Sequence, residues 1–320
     1  MSMQDGRGAQ STRLRSVTVL IPAHNEAEYI ERCVMSCWSQ THPPETVMVI
    51  ADACTDQTSE LARRTGATVM EIDERSKPRG LNLALARVDT DLVFLLDADS
   101  YLASDAVEQC VGAMDRWGYG GVCTKVRQQP DAMKGLFARA RAIEWSATHA
   151  WSRRMETAVG WLAVLSGMAG CYQVEALRAV DGWSDDGLCE DVELAMKFNV
   201  AGYRPGFAPK AYVYVRDPAS LKVYLAQIKR WAAGWAQAIA KHRRMFFTRP
   251  QFLFVFGMML LDSSLLLLSL VILASILGFG PSVEEIGGWV GPTYVGMSLW
   301  TITLASVEGY VVVDHHAGIS

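Results

Sequence analysis

Basic residues are absent from the end of this chain. No Lys or Arg follows Arg249, and the last 70 of the 320 residues hold only five acids, Asp262, Glu284, Glu285, Glu308 and Asp314. The formal charge of −4, from 30 basic and 34 acidic side chains, therefore belongs to the tail. Residues 1–250 carry 30 basic against 29 acidic groups, and a near-neutral body without a basic stripe argues against a nucleic-acid partner. CxxC pairs are also missing among the seven cysteines, which disfavours a zinc site and fits a reduced compartment. No Gly-x-Gly-x-x-Gly follows the first apolar run and no Walker lysine occurs, which argues against dinucleotide and P-loop sites. With 50% hydrophobic residues, the composition excludes a collagen, a disordered acidic tail and a small disulfide-stapled module. The opening residues, MSMQDGRGAQSTRLRS, lack the apolar core of a signal peptide, so residues 1–15 are expected to form a disordered leader.

The tail is apolar as well as uncharged. Phe252 to Gly280 contains one ionisable residue, Asp262, and about 20 apolar residues suffice to cross a bilayer. Residues 246–320 are therefore expected to form a membrane region with spans at about 252–280 and 289–313. The second span is the weaker, because Gly291, Pro292, Thr293, Ser298, Thr301, Thr303 and Glu308 interrupt it. Lys241, Arg243, Arg244 and Arg249 crowd one end of the first span, whereas the loop PSVEEIGG has no basic residue. The positive-inside rule then predicts a multi-pass protein of the inner membrane with residues 16–245 cytoplasmic.

Within residues 16–245, apolar runs of strand length at Val17–Ile21, Thr46–Ile50, Thr68–Ile72 and Leu92–Leu96 alternate with amphipathic stretches near 26–39, 56–65 and 79–87. This β-α-β-α-β-α-β order predicts an α/β fold of Rossmann-like type, with a mostly parallel sheet and flanking helices. Such sheets bind ligands at the carboxyl ends of their strands. The sequence puts Pro22-Ala23-His24-Asn25-Glu26, Ala51-Asp52-Ala53-Cys54-Thr55-Asp56 and Asp97-Ala98-Asp99 at those ends.

Asp97 and Asp99 lie on one side of an extended chain, where paired carboxylates suit a hard divalent ion that clamps phosphates. An ordinary turn after a strand is the alternative. Asp52 is placed to accept a hydrogen bond from a base N–H, whereas Asp56 is expected to cap the helix beginning there. Glu190 and Asp191 open a helical run, either as acids stabilising the helix dipole or with one of them as a general base. Gln227, Arg230 and Trp231 share a helix face through i, i+3 and i+4 spacing. That face offers donors for phosphate and a flat surface for a sugar, or else it is a membrane-proximal amphipathic face. Lys77 and Arg79 either approach phosphate or form a solvated basic loop.

Taken in order, PAHNE, ADACTD, SKPRGLN, DAD, CED and QIKRW resemble the family 2 glycosyltransferases of GT-A fold over about residues 16–245. The likeness is strongest to the membrane-attached branch that includes cellulose, chitin and hyaluronan synthases. It implies an inverting, metal-dependent hexosyltransferase moving a glucose- or N-acetylglucosamine-type sugar from a UDP-sugar donor to a hydroxyl of a lipid-linked or glycan acceptor. By the same resemblance Ala23 and Glu26 flank the nucleotide, Asp52 contacts the uracil, and Asp97 lies near the ribose and diphosphate. Asp99, with Asp97, holds Mg²⁺ or Mn²⁺; Asp191 is the catalytic base; Gln227 and Arg230 lie near the diphosphate, and Trp231 supports the acceptor. Ser166-Gly167 resembles a segment lining the acceptor pocket. Two positions depart from the pattern, Ala51 in place of a frequent Asp and Cys189 in place of Thr or Ser, and neither removes an expected charge. One or two spans are fewer than the polymer exporters possess, which favours a short transfer. A non-catalytic, membrane-anchored sugar-nucleotide-binding protein and a nucleotidyltransferase are the competing readings.

Overall fold

The computed structural model describes residues 14–132, 150–216 and 220–253, with positions 138, 141, 142 and 145. The expected leader lies outside these residues except for Leu14 and Arg15, and the expected spans lie outside them except for Phe252 and Leu253. Among the described residues no helix is long and apolar enough to cross a membrane.

The first four strands form where the apolar runs predict them: β1 Val17–Ala23, β2 Thr46–Asp52, β3 Thr68–Ile72 and β4 Leu92–Leu96. β1 and β2 run two residues further than the apolar pattern because Ala23 stays paired with Ala51, and Asp52 with Ile72. Between the strands lie α1 Ile30–Trp38, α2 Thr58–Arg64 and α3 Lys77–Leu85. α3 starts two residues earlier than expected, since Ser76 Oγ accepts the Arg79 N–H at 3.4 Å and Pro78 suits a first turn. Asp56 is not the N-cap of α2, which is Gln57; it stands one residue earlier and accepts the Thr58 N–H at 3.0 Å.

The later elements are β5 Tyr101–Leu102, α4 Ala106–Trp117, β6 Gly121–Gln128, α5 Ala150–Ala158, β7 Ala169–Gln173, α6 Val174–Ala179, α7 Glu190–Ala201, β8 Pro205–Val215, α8 Leu221–Lys241 and α9 Met245–Thr248. The sheet order is β3-β2-β1-β4-β7-β6-β8-β5. β3, β2, β1 and β4 are mutually parallel, but the pairings β4–β7, β7–β6 and β8–β5 are antiparallel. The sheet is thus mixed, although four of its seven pairings, β6–β8 included, are parallel as expected. A continuous apolar run signals that a strand is buried on both faces, and it does not encode the direction of its neighbour.

Successive strand residues point to opposite faces. Val19, Ile21, Val49 and Phe94 face α1, α2 and α4, whereas Leu20, Ile50, Val93 and Leu95 face α3, α6 and α7. Each of these buried aliphatic or aromatic side chains stabilises the layer by about 1.5–3 kcal/mol before entropy is charged against it. A third apolar cluster, including Val164, Cys189, Val192, Met196 and Ala238, docks α8 onto α7 and the segment before β7. Gly234 permits this contact, since a Cβ there would lie 2.8 Å from Cys189 Cβ.

Candidate active site

The carboxyl end of β4 carries the paired acids. Lys77 Nζ donates to Asp97 Oδ1 at 2.7 Å and to the Gly167 carbonyl at 2.8 Å, and stands 3.5 Å from Glu190 Oε1. Burial pushes the Asp97 carboxyl up to about 6, against the opposing pull of Lys77. Burial also disfavours the Lys77 charge, yet Asp97 and Glu190 beside it hold its pKa above the ordinary lysine value. Asp99 accepts the Ser100 hydroxyl at 3.2 Å, its carbonyl accepts Gln129 Nε2 at 2.8 Å, and burial raises its pKa. Lys77 is therefore no solvated loop residue. It joins the start of α3 to the acid pair and to the turn before β7.

Asp52 is at its expected strand end, with its carboxylate committed to main chain. Oδ1 accepts the Glu74 and Arg75 N–H groups at 2.9 and 2.8 Å, and Oδ2 accepts that of Ser76 at 2.9 Å. It thereby shapes the loop entering α3. Ala23 is buried at the end of β1. The Glu26 N–H donates to Thr58 Oγ1 at 2.8 Å, and its carboxyl is pushed up to about 7 by burial and then by the charges of Asp99 and Asp97.

A cavity of about 670 Å³ opens beside this rim. Asp97, Asp99, Asp191, Gln227, Arg230 and Trp231 all line it. Ala23, Glu26 and Asp52 do not, although Arg75 and Ser76, which Asp52 holds, form part of the wall. Asp191 sits in the first turn of α7, where Oδ1 accepts the Val192 N–H at 2.8 Å and Oδ2 the Gly167 N–H at 3.2 Å. Burial, followed by the neighbouring Glu190 charge, raises the Asp191 pKa. A carboxylate fixed by two main-chain donors, yet made more basic than usual, suits proton abstraction. Across the cavity, Arg230 Nη1 donates to the Leu188 carbonyl at 3.3 Å. Gln227 Oε1 and Ser166 Oγ border the same space, buried and without hydrogen-bond partners among the described residues.

The loop before Asp191 is anchored from both sides. Asp185 bonds Ser76 and Arg79 of the α3 start, and Leu188 N–H donates to Gln237 Oε1 of α8 at 3.1 Å. Lys241, the last residue of α8, bonds Glu193 of α7 and reaches Asp186 Oδ2 at 2.9 Å. The wall further includes Lys125, Arg153, Arg216 and Trp235, which sequence reasoning did not single out. Trp235 was detectable one helical turn after Trp231. The three cations carry no local motif, because long-range packing brings them to the wall.

The described residues contain no group of three or more His, Cys, Asp or Glu side chains that would hold a metal alone. The donor set suits a hard ion that takes its other ligands from phosphate and water, with Asp99 free of ion pairs among the described residues.

The sequence profile of Glycosyltransferase like family 2 matches residues 15–234. Poly-beta-1,6-N-acetyl-D-glucosamine synthase of Staphylococcus aureus (strain COL) is 24% identical over 236 residues, covering 71% of this chain and 56% of the relative. The chain thus spans little more than half the length of that relative. Among solved structures, the mannosyltransferase PcManGT from Pyrobaculum calidifontis, in complex with GDP-Man and Mn²⁺, superposes with a TM-score of 0.64 at 21% identity, over 93% of this chain and 87% of that one. Glucosyl-3-phosphoglycerate synthase from Mycobacterium tuberculosis gives a TM-score of 0.51 at 21% identity, over 71% of this chain and 80% of that one. With a mixed-sheet α/β fold shared with these enzymes and more than half of its length matched by the profile, the chain belongs to the family described as Glycosyltransferase like family 2.

Proposed function

We propose that this protein is an inverting hexosyltransferase that moves a glucose- or N-acetylglucosamine-type sugar from a UDP-sugar to a hydroxyl of a lipid-linked or glycan acceptor at the cytoplasmic face of the inner membrane. One observation carries the reading. Asp191, half-buried and held by two backbone N–H groups, shares a single cavity with the Asp97–Asp99 pair and with the Gln227–Arg230–Trp231 face. The acid-pair end suits a nucleoside diphosphate, and the base and tryptophan end suits an acceptor.

In the reaction, Asp191 takes the proton of the acceptor hydroxyl as its oxygen forms a bond to the anomeric carbon, while the bond from that carbon to the diphosphate breaks on the opposite side. One displacement inverts the anomeric centre. Lys77 and Arg230 face the growing charge of the leaving diphosphate, so their stabilisation increases toward the transition state. Asp99, with Asp97, would hold Mg²⁺ or Mn²⁺, which supplies further neutralisation of the diphosphate when bound. Asp52 keeps Arg75 and Ser76 in place at the nucleotide end, and Ala23 and Glu26 flank it. The relatives support the donor class: one is named for N-acetylglucosamine polymer synthesis, and another was crystallised with UDP-glucose and Mn²⁺.

Membrane placement rests on the basic end of α8 and the apolar sequence beyond it. Phe247 is 91% exposed among Arg243, Arg244 and Arg249, a pattern suited to an anionic membrane surface. The test is a UDP-release screen of detergent-purified full-length protein over a panel of nucleotide sugars with Mg²⁺ or Mn²⁺, with mass spectrometry of the product. Metal-dependent UDP release from a UDP-hexose is expected. UDP binding without release from any donor would favour a non-catalytic binding protein.

A further inference from the structure

Resting on the transferase reading above, we infer that the acceptor carries an anionic group close to its attacking hydroxyl and that Arg153 binds that group. Arg153 lies on α5, lines the cavity and is 17% exposed. Its Nη1 donates to Glu156 Oε2 at 3.0 Å, and the same oxygen accepts the Ala163 N–H at 3.0 Å. Glu156 is therefore pinned by the chain turning back towards Ser166, and it fixes the guanidinium in turn. A guanidinium has five N–H donors, and Glu156 takes one of them. Arg153 lines the cavity, where a substrate that displaces water has to satisfy any N–H group it covers or bear a desolvation cost.

Arg153 belongs to the base end of the cavity. Its partner Glu156 holds the Ala163 N–H, and the Leu165 N–H two residues on donates to the Asp191 carbonyl at 3.4 Å; Cys123 of β6 is a further neighbour, acting on the Arg153 charge after Glu156 and before Asp191. Lys125, two residues along and hence on the same face of β6, is buried and lines the same wall. The donor diphosphate has cations of its own in Lys77 and Arg230, so Arg153, at the Asp191 end, is assigned to the other substrate. A neutral glycan offers hydroxyl groups, which compensate a buried guanidinium poorly. A phosphate or carboxylate accepts two parallel N–H bonds from it. The anion has two possible sources, the phosphate of a lipid carrier or an acidic substituent on the glycan.

The test uses full-length protein in lipid nanodiscs, with the nucleotide sugar that releases UDP. Three acceptors are compared: octyl N-acetylglucosaminide, which is neutral; farnesyl-diphosphate-linked N-acetylglucosamine; and N-acetylglucosamine 6-phosphate. At least one anionic acceptor is expected to exceed the neutral one about 10- to 100-fold in kcat/KM, the range of a charge-assisted hydrogen bond. Preference for the farnesyl compound identifies a lipid carrier as the source, and preference for the sugar phosphate identifies an acidic glycan. Arg153→Gln should bring the preference down to about one, and Arg153→Lys should retain part of it. Equal use of all three acceptors by the wild type, or a preference unchanged in Arg153→Gln, overturns the inference. If Arg153→Gln fails to fold, the wild-type preference alone decides. Absence of UDP release from every donor sinks the transferase reading itself, whereas turnover without preference for an anion sinks only this one.

Discussion

The two halves of the sheet hold their polar groups by different means. In the parallel half, short main-chain bonds fix the side chains at the strand ends: Asp52 takes three N–H groups of residues 74–76, and Asn25 Oδ1 takes the Thr55 N–H at 2.7 Å. In the mixed half, the docking of α8 onto α7 is added to a main-chain bond of the same kind. Asp191 is tied to Gly167, Glu193 to Lys241, and Cys189 packs on Gly234. The Asp52 end is thus fixed by main-chain bonds between the strand ends and the loops beside them. The Asp191 end, by contrast, is assembled by the docking of α8.

The largest effect separating the halves is expected at the base. Asp191→Asn should lower transfer by about 10²- to 10⁴-fold, the usual worth of a general base, while UDP binding by calorimetry stays close to wild type. Next comes the acid pair: Asp99→Asn should weaken Mn²⁺-dependent UDP binding by about 10- to 100-fold, whereas an unchanged affinity would remove Asp99 as the metal ligand. A smaller effect tests the docking of α8. Gly234→Ala puts a Cβ 2.8 Å from Cys189 Cβ and 3.1 Å from its backbone nitrogen, and should cost about 1–3 kcal/mol in thermal unfolding. It should impair acceptor use more than UDP affinity, and equal losses would mean that the two ends are not separable.

The smallest effect is a pH slope. The Glu26 carboxyl is raised to about 7 in the fold from its ordinary 4.5, so the folded state holds a proton that the unfolded chain releases. Its contribution is full below pH 4.5 and is lost as pH rises through 7. Metal-free protein should therefore lose melting temperature from this group across that interval, and Glu26→Gln should flatten the slope.

How legible each part was in the sequence follows from the same contrast. The four parallel strands, the acid pair after β4 and the shared face of Gln227, Arg230 and Trp231 follow from period and spacing, because each depends on neighbours in the chain. Lys77 was left between phosphate contact and a solvated loop, since its bond to Asp97 spans 20 residues. Arg153, Lys125 and the Glu193–Lys241 tie had no local signature. The antiparallel turn of the sheet at β7 was hidden for a related reason: burial is written in a strand's residues, but the direction of its partner is set by tertiary packing.

NMR of the sugar first released when water replaces the acceptor distinguishes a single displacement assisted by Asp191 from a retaining reaction. With a UDP-α-hexose as donor, the initial product should be the β-anomer, turning to the equilibrium mixture only by later mutarotation. Initial release of the α-anomer would mean retention and would rule out a single displacement at Asp191.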